Sequence, residues 1–271
     1  MSEKPFDITD YVLESEHIIF IGDPATYLAG NISPENFKNW LNKLDSIYKI
    51  YLGLVGRAPG GGAKVKITVD TVNKYGWAWY WPGTNDIGWH ADYVAKEMSV
   101  IESTGTVGFG MLHEIGHLFD GAEGIGDVWS FHPEFTANLK ILYAMETDNS
   151  IQIIHDEIKR SGSYYRNLWH NNAAAFYNDG NLKEKISENN DNLQFYFSPI
   201  VDNAGWKIFK SAFHSYFDNS YPLDKTYSGS PEAIKLAGFL DRLTYFNHGV
   251  DVLSYSLDNG EILRTVYPDI Q

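Results

Sequence analysis

The chain contains no cysteine. That removes disulfide bridges, thiolate metal ligands and thiol nucleophiles together, so any metal must be held by histidine and carboxylate. Positive charge is scarce: 21 Lys and Arg stand against 35 Asp and Glu, a formal net charge of −14. A surface that acidic repels phosphate backbones and anionic lipid, which argues against nucleic acid as a partner. No stretch approaches the roughly 20 apolar residues that a membrane span needs, so no membrane insertion is expected. The opening residues 1–7 lack the basic and then apolar regions of a signal peptide, which leaves a cytoplasmic location open. There is no internal repeat, no long linker and no EF-hand calcium loop.

What is present suffices for a full core. Hydrophobic residues make up 44% of 271 positions, enough for one large domain or two closely packed lobes. Nothing in the composition sets an oligomeric state. Aromatic residues are abundant, with 8 Trp, 18 Tyr and 15 Phe, and several crowd together as Trp77, Trp79, Tyr80, Trp81 and Trp89. Core packing is the ordinary use of such rings. The functional alternative is a wall of a substrate cleft, for which Trp89 and, further along, Trp129 are candidates.

Periodicity sorts the chain into an α+β first part and a helical second part. His17–Gly22 is a short apolar run closed by Asp23-Pro24, as in a buried strand. Ser33-Pro34-Glu35 then opens a helix whose stripe is Phe37, Leu41, Leu44, Ile47 and Tyr48. The segment 57–63 is glycine-rich and precedes Lys64, but it lacks phosphate-loop spacing and reads as a hairpin or flexible loop. Val65, Ile67 and Val69 alternate as in a strand, and 75–81 reads as another, ended by Pro82-Gly83. Residues 92–100 fit an edge strand or a helix start equally. Helices are expected over 106–119, 133–145, 164–177, 204–217 and 231–246, with Asn- and Asp-rich connections such as 189–192. The division is a mixed lobe, 1–103, then helices and a helical lobe, 104–271, with an active-site cleft between them.

Residues 113–117 read His-Glu-Ile-Gly-His. On a helix, positions i and i+4 share a face, so His113 and His117 can reach one ion, and Glu114 can reach water bound on it. Met111, Leu112, Ile115 and Leu118 suit a helix buried on most sides. Buried imidazoles and a buried Glu are costly unless compensated, and a divalent cation compensates them. A catalytic zinc needs a third protein ligand and an open position. Asp120 and Glu123 stand where the metzincin pattern needs Gly and a third His, which excludes that pattern. Glu134, separated from His117 by residues 118–133, opens the next helix and is favoured as third ligand. Glu123, the rival, lies in a glycine-flanked turn with no helix to aim it, and His132 reads as a rim or helix-start residue. Asn138, one turn after Glu134, is either a hydrogen-bond partner for a ligating imidazole or an ordinary polar helix residue. An oxyanion donor is to be sought among Tyr165, His170, His214, Tyr245 and His248; spacing selects none of them.

His113-Glu-Ile-Gly-His117, then Trp129, then Glu134, Thr136 and Asn138 resemble the enhancin-type metallopeptidases, whose signature continues as Glu-x-Thr-Asn-Asn. Ala137 stands where the first Asn of that signature falls. The likeness is good over 105–145 and loose over 60–260, and the family's Ala-Gly-Tyr-Pro segment has no clear counterpart. It implies a zincin-like, gluzincin-type endopeptidase with Zn2+ held by His113, His117 and Glu134, and Glu114 as general base. It also implies O-glycosylated, mucin-like protein substrates and a secreted or cell-surface location. Two other readings stay open: a zinc hydrolase of a non-peptide amide, and a non-catalytic glycan- or protein-binding domain with a residual zinc site. The intact Glu114 argues against the second.

Overall fold

Alternating burial builds the first sheet. The computed structural model describes residues 11–72, 78–81, 84–121, 129, 131–155, 158–188, 190–222, 225–268 and 270. Ile18 and Phe20 of β2 (Ile18–Gly22) turn into the core while Ile19 and Ile21 stay half-buried on the opposite face. With β1 (Tyr11–Glu14), β3 (Val65–Asp70), β4 (Ala78–Tyr80) and β5 (Asp86–His90) it forms a five-stranded sheet ordered β1-β2-β3-β5-β4. The sheet is mixed: β2–β3 and β3–β5 run parallel, β1–β2 and β5–β4 antiparallel. Among the described residues strand β4 therefore lies at an edge. Residues 75–77 and the Pro82-Gly83 stop lie outside the described residues.

After α1 (Pro24–Gly30), the long helix α2 (Pro34–Val55) starts as its sequence asks. The Ser33 side chain accepts from the Asn36 N–H, and Pro34 fills the first helical position, where no N–H is missed. It stops at Gly56, whose φ of 83° is left-handed and whose N–H bonds back to Leu52 O at 2.7 Å. The glycine-rich segment that follows holds a single 3-10 turn, Pro59–Gly62. The ambiguous stretch after residue 91 is helix: α3 (Ala91–Thr104) is capped by the His90 side chain, which accepts from the Asp92 N–H, and closes at Gly105.

Helices dominate from there, and the protein is α+β with mostly helical content. α4 (Phe109–Gly121) and α5 (Pro133–Thr147) come first, followed by α6 (Gly162–Asn178) and α7 (Leu182–Glu188). A 3-10 turn, Asn190–Leu193, leads to α8 (Gln194–Ala204), α9 (Trp206–Asp218), α10 (Pro231–Phe246) and α11 (Glu261–Val266). A small second sheet, β6 (Val107–Gly108), β7 (Ile153–His155) and β8 (Ile158–Arg160), flanks α4; no periodicity announced it. Helix α8 also escaped the sequence reading. It is buried along Gln194–Val201 on every side, so it carries no polar face, and Pro199 sits inside it. Among the described residues no helix is long and apolar enough to cross a membrane.

One buried cluster runs from Ile18 to Ile270. α2 packs against α4, α5 and α9. Within α4, Met111, Leu112, Ile115, Leu118 and Phe119 are buried, and Gly116 faces α5. A Cβ on Gly116 would lie 3.1 Å from Ala137 Cα and 3.2 Å from Ala137 O. Position 137 thus belongs to the contact between the two helices, where a side chain as large as Asn would meet the α4 backbone.

Candidate metal centre

α4 carries His113 and His117 on one face, and α5 brings Glu134 to them from its first turn. The two imidazole Nε2 atoms lie 2.9 Å apart. Glu134 Oε2 is 2.9 Å from His113 Nε2, and Glu134 Oε1 is 3.5 Å from His117 Nε2. Four-coordinate metal bonds of about 2.0–2.1 Å put neighbouring donor atoms roughly 3.3 Å apart, so this trio fits one ion with small adjustments. The same three residues form a group whose ligand atoms all fall within 4.8 Å of one another. The imidazoles are buried, whereas the Glu134 side chain is 65% exposed, so the point of convergence faces outward on the carboxylate side.

The rings are held from behind. His113 Nδ1 lies 2.8 Å from Asn138 Oδ1, and Phe109 stacks on the ring at 5.4 Å between centroids. Tyr80, on the edge strand β4, stacks on His117 at 4.9 Å. Of the two readings of Asn138, the structure has the first, a partner of His113. Among the described residues His117 Nδ1 has no hydrogen-bond partner.

The charges at the centre shift one another. Hydrogen bonds from His113 and His117 hold the Glu134 carboxyl well below the usual carboxylate range, against its partial burial. Burial disfavours the charged form of His113, but hydrogen bonds to Glu134 and Asn138 and the charge of Glu114 outweigh it, and its pKa rises. Glu114 is buried, and desolvation raises its pKa although His117 and His113 pull the other way; the Tyr80 backbone also hydrogen-bonds to it. Glu114 is thus a buried carboxyl with a raised pKa beside the three convergent side chains.

A hollow of about 650 Å³ opens beside the trio, lined by His113, Glu134 and Asn138 and by Arg160, Tyr165 and Phe176 among others. Of the five candidate oxyanion donors, Tyr165 lines this hollow. His214 instead meets Gly53 O at 3.2 Å, and Tyr245 packs edge-on against Tyr221. His132 stands just before α5 with Nε2 2.5 Å from the Tyr267 hydroxyl, and burial pushes its pKa down to about 4. Glu123 lies outside the described residues.

The two tryptophans expected in a cleft are corrected. Trp89 is 1% exposed and stacks on Trp40 at 5.8 Å. Trp129 is 0% exposed, enclosed by Phe213, Tyr216 and Phe217, and its indole N–H donates to Asp120 Oδ1. Such rings bury too much apolar area to be left at a wet wall when a core can take them.

Sequence reasoning missed a buried ion pair that ties α4 to α5. Lys140 Nζ lies 2.5 Å from Asp120 Oδ1, and the Thr136 hydroxyl donates to Asp120 Oδ2 at 2.6 Å. The available signal was Lys140 itself, a charge set among Leu139, Ile141 and Leu142 of a buried helix, where only a paired lysine is tolerated.

No family model matches the chain, and no curated protein matches it. Among solved structures it is similar to a functionally unknown conserved protein from Bacillus anthracis str. Ames. The TM-score is 0.62 at 15% identity, covering 95% of this chain and 51% of that one. A mutant of a functionally unknown conserved protein from the same strain matches at a TM-score of 0.61 and 15% identity, with the same coverage. The chain thus spans about half the length of the solved chains it matches, and likeness at this identity concerns the fold alone.

Proposed function

We propose that this chain is a gluzincin-type zinc endopeptidase with a zincin-like catalytic fold. The observation that carries the reading is the convergence of His113, His117 and Glu134, from two helices, beside a hollow and next to the buried Glu114. The donor set of two imidazoles and one carboxylate suits zinc, with room left for a fourth ligand. When bound, the ion supplies Lewis acidity, which makes water acidic near neutral pH and polarises a carbonyl.

The protein's own residues do the rest. Glu114 takes a proton from the attacking water and hands it to the leaving amine. Asn138 and Phe109 orient His113, and Tyr80 orients His117. Tyr165, which lines the hollow, is the candidate donor for charge that develops on the carbonyl oxygen. The edge strand β4, paired with β5 on one side, suits an extended peptide lying antiparallel beside it. The resemblance of His113–His117 and Glu134–Asn138 to the enhancin type extends the proposal to O-glycosylated, mucin-like protein substrates.

The test combines metal analysis with cleavage of a mucin-type glycoprotein and its deglycosylated form, with and without a chelator. The expected result is one zinc per chain and chelator-sensitive cleavage that Glu114→Gln abolishes while keeping the metal. Full peptidase activity in Glu114→Gln overturns the mechanism; zinc without cleavage of either protein form favours a non-peptide amide or a binding role.

A further inference from the structure

The carboxamide of Asn138 has a second partner, from a distant turn. Asn138 Nδ2 donates to Asp191 Oδ1 at 2.9 Å, while Asn138 Oδ1 lies 2.8 Å from His113 Nδ1. Asp191 sits in the 3-10 turn Asn190–Leu193, far along the chain from both. We propose that Asp191 is a positioning residue that sets the proton tautomer of His113 through Asn138, keeping the Nε2 lone pair free for the metal.

A carboxylate only accepts hydrogen bonds, whereas an amide accepts on one side and donates on the other. Rotating the Asn138 amide by half a turn would aim its oxygen at Asp191, two acceptors at 2.9 Å, so Asp191 selects the orientation seen. The oxygen then faces His113 Nδ1, which must carry the hydrogen, and Nε2 is left bare. This selection has something to oppose. Glu134 Oε2 lies 2.9 Å from His113 Nε2, and an acceptor there draws the proton onto the nitrogen that the metal needs. Asp191, acting through Asn138, is the counterweight. An unconstrained amide could turn its NH2 to Nδ1 and let the proton settle on Nε2.

Asp191→Asn tests this with nearly unchanged shape. An amide at 191 can pair with Asn138 in either orientation, so contact and packing survive while the selection is lost. The tautomer of His113 is read from imidazole 15N shifts in metal-free protein carrying Glu134→Ala, so that no carboxylate competes at Nε2, with and without each further change, at a pH where the ring is neutral. Zinc affinity is read by chelator competition with Glu134 intact. With Asp191 unchanged the ring is expected to be Nδ1–H, in Asp191→Asn a mixture with Nε2–H, and in Asp191→Ala mostly Nε2–H with about tenfold weaker zinc binding. The double variant Asn138→Asp with Asp191→Asn should recover Nδ1–H, because an acceptor-only group then faces His113. An unchanged tautomer and a zinc Kd within about twofold of wild type in Asp191→Asn overturn the proposal. The inference rests on the proposed zinc site only for its affinity readout. A chain that binds no zinc would sink that function, while the 15N spectra would still decide the role of Asp191.

Discussion

Gly116 meets the backbone of Ala137 so closely that a Cβ on the glycine would stand 3.1 Å from Ala137 Cα. The histidines on either side of that contact and Glu134 on the opposing helix share one point only because α4 and α5 approach this far. Gly116→Ala should therefore push the helices apart by a few tenths of an ångström. We expect a stability loss of about 1–3 kcal/mol and weaker metal binding, measured by urea denaturation and chelator competition. A variant as stable as wild type with unchanged metal affinity would show that the approach is not limiting.

Glu134 and its rival Glu123 separate by metal content. Glu134→Ala is expected to lose the ion, and Glu123→Ala to keep it, by elemental analysis after gel filtration. The ion should also stabilise the fold, by about 2.7 kcal/mol at roughly 100 times its Kd. Zinc should accordingly raise the Tm of the wild type and leave that of Glu134→Ala unchanged.

The Asp120–Lys140 pair is fully enclosed, and removing one partner strands the other. Lys140→Met leaves Asp120 with the Trp129 indole and the Thr136 hydroxyl alone. The expected cost is about 3–5 kcal/mol, with metal affinity reduced because Asp120 closes α4 and Thr136 lies between Glu134 and Asn138. Adding Asp120→Asn to Lys140→Met should recover part of that stability. A Lys140→Met single variant within 1 kcal/mol of wild type, on the order of an exposed pair, would mean that the pair is not felt.

Glu97, on α3, accepts from the Gly108 N–H at 2.9 Å just before α4 begins. Burial pushes its carboxyl pKa up to about 7, although that hydrogen bond works the other way. A raised carboxyl pKa stabilises the fold below its ordinary value of 4.5, and that stability is lost as pH rises through about 7. Glu97→Gln, which keeps the acceptor and cannot ionise, should therefore gain on wild type between those two values and hold a constant advantage above. Melting temperatures at pH 5 and pH 8.5 decide it: a gap that does not widen with pH removes Glu97 from this role.

Tyr165→Phe tests the hydroxyl of this residue, which lines the hollow. If it meets charge developing on the substrate, kcat should fall by about 100-fold with KM nearly unchanged. A rise in KM alone would make Tyr165 a binding residue.

Several features were readable from local sequence because their causes are local. The shared face of His113 and His117 follows from helical pitch, and the start of α2 from Ser33 and Pro34. The alternation of Val65 and Ile67 follows from strand geometry. The tryptophans were not readable in this way. Trp89 and Trp129 looked like cleft residues by position, yet Trp40 on α2 and Phe213 on α9 enclose them from elsewhere in the chain. Helix α8 was hidden because total burial erases the polar face that periodicity needs.

By itself, the sequence determined which side chains share a helical face and which residues start and stop the helices, since these depend on neighbours within about one turn. Tertiary structure alone showed that Glu134 reaches both imidazoles, that Asp191 reaches Asn138 and that Lys140 reaches Asp120. The reason is that contacts between segments far apart in the chain are selected by the packing of whole helices against one core, and no short window of sequence contains that packing.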